Sequence, residues 1–133
     1  MAILWPAFAL FALTAIVMLR LARLRFAAVA GGRVDPRFYK IFRGDGEPEE
    51  VAAVARNLNN LFEAPTLYYA GTAIAFAAGE AGVLLVSLGW MYVALRVLHS
   101  TIHLSTNRVL WRFRVFAASW LVLIAYWGVL GIR

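Results

Sequence analysis

Polar and ionisable side chains recur at helical spacing within two otherwise apolar stretches of the chain. They form two sets: Arg56, Asn60 and Glu63, at positions i, i+4 and i+7, and Arg96, His99, His103 and Asn107, at i, i+3, i+7 and i+11. Residues at these spacings share one face of a helix. An ionisable group in hydrocarbon costs at least roughly 2.5 kcal/mol, so such groups normally face a bundle interior and mark a function. We therefore predict a polar pocket between two membrane helices.

Several kinds of chemistry are open to these side chains. Glu63 could pair with Arg96 or Arg56, and the simplest role of such an ion pair is to set the register of the helices. His99 and His103, at i and i+4, could ligate a metal ion with Glu63 as a third ligand. Two histidines without a further clustered ligand are a weak signal, because hydrogen-bonded structural histidines are commoner. We predict no metal site.

Three arginines, Arg108, Arg112 and Arg114, follow the second polar set. All three could be interfacial anchors, and for Arg114 this is the simplest interpretation. Arg112 differs because it is placed to begin the last helix and to point into the bundle. A guanidinium there would stabilise a carboxylate or a thiolate and would lower the pKa of the thiol. The chain has no cysteine, so any thiol must be carried by a substrate.

The composition is that of a membrane protein, since 63% of the 133 residues are hydrophobic and soluble domains are nearer half apolar. Four stretches are long enough to supply the roughly 20 apolar residues that cross a bilayer: residues 1–19, 51–79, 81–104 and 115–132. We predict an all-α, antiparallel four-helix membrane bundle that forms one domain over residues 1–133. The predicted helices cover approximately residues 2–28, 48–79, 81–106 and 109–132, and a cytoplasmic loop covers approximately residues 31–47.

Basic residues concentrate in two of the connections between the predicted helices. They are Arg20, Arg23, Arg25, Arg33, Arg37, Lys40 and Arg43 in the first connection, and Arg108, Arg112 and Arg114 in the third. The positive-inside rule places both connections in the cytoplasm and both termini outside, as in a multi-pass protein of a bacterial inner membrane. The net charge of +6 then follows from topology and from attraction to anionic membrane lipids. A nucleic-acid partner is not needed to explain it.

The tight hairpin between the second and third predicted helices sets the relative depth of the two polar sets. If its turn is centred midway between positions 80 and 81, Glu63 lies level with Leu98 and Asn60 with Thr101, to within about one helical turn. Both sets then coincide in the cytoplasmic half of the bundle, whereas the outer halves of the two helices are almost purely apolar. The predicted pocket therefore opens toward the cytoplasm.

Two motifs give the chain a family resemblance. Arg-x3-Asn-x2-Glu begins at Arg56, and Arg-x2-His-x3-His begins at Arg96. Together with the segment from Asn107 to Phe113, they resemble the MAPEG superfamily, the membrane-associated proteins in eicosanoid and glutathione metabolism. The resemblance covers about residues 50 to 130 and is closest in detail to the bacterial-type members.

The resemblance implies a homotrimer of four-helix subunits, with glutathione as co-substrate held between neighbouring subunits and open to the cytoplasm. Arg56, Asn60 and Glu63 match the residues that hold the tripeptide in the enzymes of the family. Arg96 and His99 match positions that line the same pocket.

The same resemblance implies that Arg112 activates the thiol, with Arg108 as the alternative. The chain departs from the family pattern at two places. His103 stands where the glutathione-using enzymes usually carry a tyrosine, and the spacing from Glu63 to Pro65 is shorter than in the eicosanoid enzymes. Both departures argue against eicosanoid specificity.

Three functions are compatible with these features. The leading hypothesis is a membrane-bound glutathione transferase or peroxidase, whose small hydrophobic substrate arrives from the bilayer between the first and fourth helices. The second is a non-catalytic binding or scaffold protein that uses the same groove for a lipid or peptide. The third is a small proton-coupled transporter that uses Glu63 and His103 as a relay. Confinement of the polar residues to the inner half argues against the third.

Overall fold

Residues 1–42 and 46–132 are described by the computed structural model, and their regular secondary structure is helical, without strands. Arg43 of the predicted basic loop lies outside the described residues. After a 3₁₀ turn at Ala2–Leu4, the helices are α1 (Trp5–Ala30), α2 (Phe38–Ile41), α3 (Glu49–Ala77), α4 (Val83–Leu104) and α5 (Val109–Gly131). The four long helices contain 26, 29, 22 and 23 residues, respectively.

The helix boundaries follow from local sequence. α1 has a proline in its first turn, where no intrahelical N–H is required, and it ends at a glycine pair in which Gly32 has φ +67°. α3 begins directly after Pro48 with two acids in its first turn, where the helix dipole favours negative charge. It ends before Gly79, whose φ of +72° reverses the chain toward α4.

The long helices pack around one shared core. α4 packs most extensively on α5, while α1 packs on both α3 and α4. The connections from α3 to α4 and from α4 to α5 are only a few residues long, so these helices run antiparallel to their sequence neighbours. The core is apolar along most of its length, with Leu10, Leu61, Leu85 and Leu123 almost completely buried.

Three of the helical segments are long and apolar enough to cross a membrane: Ala2–Ala30, Val83–Leu104 and Val109–Gly131. Their outer surfaces carry large exposed apolar side chains such as Phe11 and Leu121, which suit contact with lipid tails. α3 is equally long but is more polar and is not among the three. A fourth crossing by α3 stays a prediction.

The half of the bundle next to the α3–α4 turn, where the sequence predicts almost purely apolar helices, contains a buried tyrosine cluster. The Tyr68 and Tyr92 rings stack with centroids 5.0 Å apart, and the Tyr126 ring meets Tyr68 edge-on at 5.3 Å. The hydroxyl groups of Thr72 and Tyr126 lie 3.3 Å apart. The sequence pattern did not reveal the cluster because tyrosine counts equally well as an apolar residue or as an interfacial one.

Gly89 of α4 allows the cluster to approach α1. A Cβ at this position would lie 2.6 Å from the Tyr68 hydroxyl oxygen and 3.3 Å from Cγ of Pro6. Because the Tyr68 ring is held between two other rings, it has little room to move. We expect Gly89→Ala to lower the free energy of unfolding by about 1–3 kcal/mol through overpacking, measured by denaturation in detergent micelles.

The matched control is Gly128→Ala in α5, where an added Cβ meets nothing within 4 Å. It should be neutral or slightly stabilising, because alanine has the higher helix propensity. Adding Tyr68→Phe should recover part of the Gly89→Ala loss. Equal unfolding of Gly89→Ala and the unsubstituted protein would contradict the proposed close packing.

Candidate functional site

The polar set on α4 is buried inside the subunit. Arg96 has 0% of its surface exposed, and His99 and His103 each have 2%. The two imidazole rings lie edge-on with centroids 5.8 Å apart. Phe116 of α5 lies against His99 and Arg96, with its ring centroid 5.8 Å from the His99 ring and 5.8 Å from Cζ of Arg96. A cation and two imidazoles therefore share one interior compartment.

Side chains of α4 contact α3 at two successive turns. Arg96 Nη2 donates a hydrogen bond to the Asn60 carbonyl oxygen at 2.8 Å, and Ser100 Oγ donates to Asn57 Oδ1 at 3.2 Å. The predicted depth matching placed Asn60 level with Thr101, so the observed contact is displaced by about one helical turn. The polar part of α4 thus faces α3, as the hairpin geometry indicated.

Arg56 and Glu63 do not face the buried polar set of α4. Both are exposed on the subunit surface, and neither forms an ion pair within residues 1–42 and 46–132, where the ion pairs join Arg25 to Glu47 and Arg33 to Glu50. The predicted ion pair between Glu63 and Arg96 or Arg56 is therefore not formed within the described part of the subunit.

The reason lies in the face that α3 buries. Its inward positions are Asn57, Leu61, Ala64 and Tyr68, which recur at three- and four-residue spacing. Residues 56 and 63 each precede an inward position by one residue, a rotation of about 100° around the helix. One subunit therefore holds the α4 set inside and presents Arg56 and Glu63 outside, with the half-buried Asn60 between them.

The turn after α4 places the two arginines proposed to bind a thiolate, Arg108 and Arg112, in different environments. α4 ends at Leu104, so Asn107 lies in the following turn, with φ +47°, and does not extend the helical stripe as predicted. Its Oδ1 accepts a hydrogen bond from Arg112 Nη1 at 2.7 Å. Arg112 is half-buried, whereas Arg108 is exposed immediately before α5. The turn therefore holds Arg112 by its side chain and leaves Arg108 at the surface.

Several buried polar atoms of this compartment have no hydrogen-bond partner in the described chain. They are Nε and Nη1 of Arg96, Nδ1 of His99, both ring nitrogens of His103, and Nδ2 of Asn57. Leaving a buried donor unsatisfied costs about 1–3 kcal/mol, and more for a charged group. Such a concentration of unsatisfied groups is typical of a site that is completed by a polar ligand, by water or by another subunit.

A cavity of about 330 Å³ leads to His103 from the surface. It lies where the first turn of α3 meets the end of α4, and side chains of both charges line it, including Arg20, Glu49 and Glu50. Among the described residues, no three His, Cys, Asp or Glu side chains cluster closely enough to hold a metal ion. Glu63 is therefore not a third ligand for the two histidines within this part of the subunit.

Comparison with known protein families shows which family the chain belongs to. The MAPEG family model matches residues 3–132, which is nearly the whole chain. The chain belongs to the MAPEG family. No curated protein and no solved structure matches it significantly.

Membership of the MAPEG family makes this chain an integral membrane protein, in agreement with its three apolar helices. It confirms the resemblance that the Arg56 and Arg96 motifs indicated. The family is generally associated with glutathione, a ligand with two carboxylates, one ammonium group and one thiol.

Three residues of the MAPEG site region were missed by sequence reasoning. Asn57 and Ser100 form the second polar contact between α3 and α4, and Phe116 covers the buried arginine and histidine. Asn57 could have been found from its place at i, i+4 and i+7 with Leu61 and Ala64. Phe116 gave no signal, because an aromatic residue in a membrane helix is ordinarily a packing residue.

Proposed function

We propose that this MAPEG protein uses glutathione, bound at an interface between subunits, to conjugate or reduce small hydrophobic electrophiles. The observation that carries the proposal is that Arg56 and Glu63 on α3 are exposed and form no ion pair within residues 1–42 and 46–132. If α3 crosses the bilayer, these charges are too costly to face lipid, so a second subunit or a polar ligand has to cover them.

In a homotrimer, a neighbouring subunit would cover the charges of Arg56 and Glu63. In a cyclic trimer each subunit offers one surface to one neighbour and a different surface to the other. The α3 face with Arg56 and Glu63 would then meet a neighbouring subunit, and the space between them would be a polar site rather than a lipid-facing one. The trimer itself comes from the family likeness.

The charges of these residues complement those of glutathione. Arg56 at the interface, and the buried Arg96 once α3 and α4 part enough to admit the ligand, would provide two guanidinium groups for the two carboxylates, and Glu63 would provide a carboxylate for the ammonium group. Arg96 is pre-organised for this role because Nη2 is fixed on the Asn60 carbonyl while Nε and Nη1 have no partner in the described chain. Guanidinium groups bind carboxylates through two parallel hydrogen bonds.

Hydrogen bonds and thiol activation would come from the remaining residues. The Asn60 side chain, His99 and His103 can donate or accept, and unpartnered ring nitrogens are available on both histidines. Arg112 is oriented by the Asn107 amide and would stabilise the thiolate, which is the nucleophilic form of the sulfur. Arg108 is the alternative for this role.

The hydrophobic substrate would reach the site through the membrane. The outer faces of α1 and α5 are apolar and exposed, so an apolar electrophile dissolved in the bilayer would meet the subunit there. The thiol would come from the aqueous side, where the polar groups of α3 and α4 lie by the predicted topology.

A binding or scaffold role for the same groove is the second candidate. His103 in place of the usual tyrosine favours it, because the change removes a phenolic hydroxyl from the ligand's surroundings. Such a protein would bind a lipid or peptide at the groove without turnover.

Calorimetry with glutathione separates the two candidates. We expect the purified protein to bind glutathione and Glu63→Gln to weaken binding by about 10- to 100-fold, since a hydrogen bond to a charged group contributes about 1.5–3 kcal/mol. Glu49→Gln, an exposed acid in the first turn of the same helix, is the matched control and should bind normally. Absence of binding by the unsubstituted protein would favour the scaffold.

A further inference from the structure

A second cavity, apolar and separate from the polar compartment, lies under the loop between α1 and α3. Its volume is about 590 Å³, within the range of about 300–1,000 Å³ that is usual for small-molecule sites. α1 supplies one wall through Met18, Leu21, Ala22 and Phe26. Part of the other wall comes from Tyr39 of the short helix α2 and from Phe42, which directly follows it. None of the residues proposed for glutathione lines it.

The position of the cavity relative to the membrane follows from α1. The apolar segment Ala2–Ala30 is long enough to cross the bilayer, and the cavity borders only its last four turns or so, from Met18 to Val29. Two aromatic side chains that line the cavity also face outward: Phe26 is 77% exposed and Phe42 60%. Aromatic side chains at this depth belong to the boundary between acyl chains and head groups, so the cavity borders that boundary.

The charges around the cavity are mostly positive. Arg25 is neutralised by Glu47, with Nε and Oε1 2.7 Å apart, and its guanidinium lies 5.2 Å from the centroid of the Tyr39 ring. Arg37 immediately precedes α2 and Lys40 lies within it; both are exposed and form no ion pair within the described residues. The carboxylate of Asp35 accepts a hydrogen bond from the backbone N–H of Arg37. Two uncompensated cations thus stand beside an apolar cavity.

We infer that this cavity holds one acyl chain of an anionic membrane phospholipid, whose phosphate lies against Arg37 and Lys40. The apolar walls surround the acyl chain with apolar side chains. Each cation near the membrane surface favours an anionic head group by about 1 kcal/mol. Among membrane components, an anionic phospholipid combines this charge with a chain that is already at this depth. The bound lipid stabilises the loop against α1 and takes no part in the reaction.

Native mass spectrometry of the delipidated protein, with lipid added back, tests the inference. We expect one retained phospholipid per subunit, with phosphatidylglycerol retained about 30-fold more strongly than phosphatidylcholine of the same chain length, because two cations contribute about 1 kcal/mol each. Ala22→Phe places a ring inside the cavity and should weaken retention about tenfold or more, because it displaces several methylenes that would otherwise be buried. A double variant, Arg37→Gln with Lys40→Gln, should remove the preference for phosphatidylglycerol.

Ala27→Phe is the matched control, since Ala27 lies near the same end of α1, is exposed and does not line the cavity. It should retain lipid as the unsubstituted protein does. Unchanged retention by a folded Ala22→Phe variant would overturn the inference, as would equal retention of both lipids. Selective loss of the oligomer in Ala22→Phe would also overturn it, by showing that a second copy occupies the cavity. Glutathione binding is measured separately and is expected to survive all of these changes.

Discussion

Arg112→Ala is expected to reduce kcat/KM for conjugation of glutathione to an electrophilic aryl halide by about 10²–10³-fold, the usual effect of removing one donor that stabilises a developing or reacting anion. The guanidinium is half-buried and held by the Asn107 amide at 2.7 Å, so it is positioned before substrate arrives. Without it, the thiol should ionise near its ordinary pKa of about 8.5. The rate of the variant should therefore recover partly as the pH rises toward that value.

Arg114→Ala is the matched control for this experiment. Arg114 lies on the same helix, is exposed, and packs over the Trp111 ring with Cζ 5.2 Å from its centroid. We expect nearly unchanged turnover in that variant. Loss of activity in Arg108→Ala, with Arg112→Ala unaffected, would assign the thiol to Arg108. Unchanged turnover in both variants would remove arginine from the proposed thiol chemistry.

Arg96→Met is expected to separate stability from ligand binding. Arg96 is completely buried, contacts the Asn60 carbonyl, and has no carboxylate partner within the described chain. Replacing uncompensated buried charge by an apolar side chain of similar length should raise the free energy of unfolding without glutathione by about 1–4 kcal/mol. Glutathione binding should weaken by about 30-fold or more, since truncating one partner of a buried charge pair costs about 2–5 kcal/mol.

Arg114→Met is the control, because it removes an exposed arginine and should leave both measurements close to those of the unsubstituted protein. The measurements are denaturation in detergent micelles and calorimetry with glutathione. A variant that loses stability and retains binding would show the opposite division of roles. In that case the contact with Asn60, and not the ligand, would be the reason for the arginine.

The sequence predicted most of the helical architecture because its signals are strong and local. Apolar runs, the Gly31-Gly32 and Gly79 breaks and the acids after Pro48 place the long helices to within a few residues. The three polar side chains at 96, 99 and 103 recur at helical spacing in α4, and all three are buried together. Periodicity predicts such a set well when the charged and imidazole side chains of the helix all lie on one face.

α3 shows where periodicity fails. Polar residues occupy two neighbouring faces, so both Asn57 and the pair Arg56 and Glu63 have acceptable helical spacing. The buried face is decided by how residues such as Leu61 and Ala64 pack against the other helices of the bundle, which a single helix pattern does not contain. Asn107 was misplaced for a related reason, since the spacing continued beyond the end of α4 at Leu104 into a turn.

The two ends of the bundle differ in how their helices are joined. At the end next to the α3–α4 turn, Pro6 of α1 and Tyr68 of α3 both lie close to Gly89 of α4, and the Tyr68 and Tyr92 rings stack there. At the opposite end, an arginine, two histidines and an asparagine have buried polar atoms without a partner among the described residues. We expect the end with the packed rings to open less readily, because close apolar contacts must be lost before its helices can separate. Exchange of a polar ligand would then involve mainly the end with the polar groups.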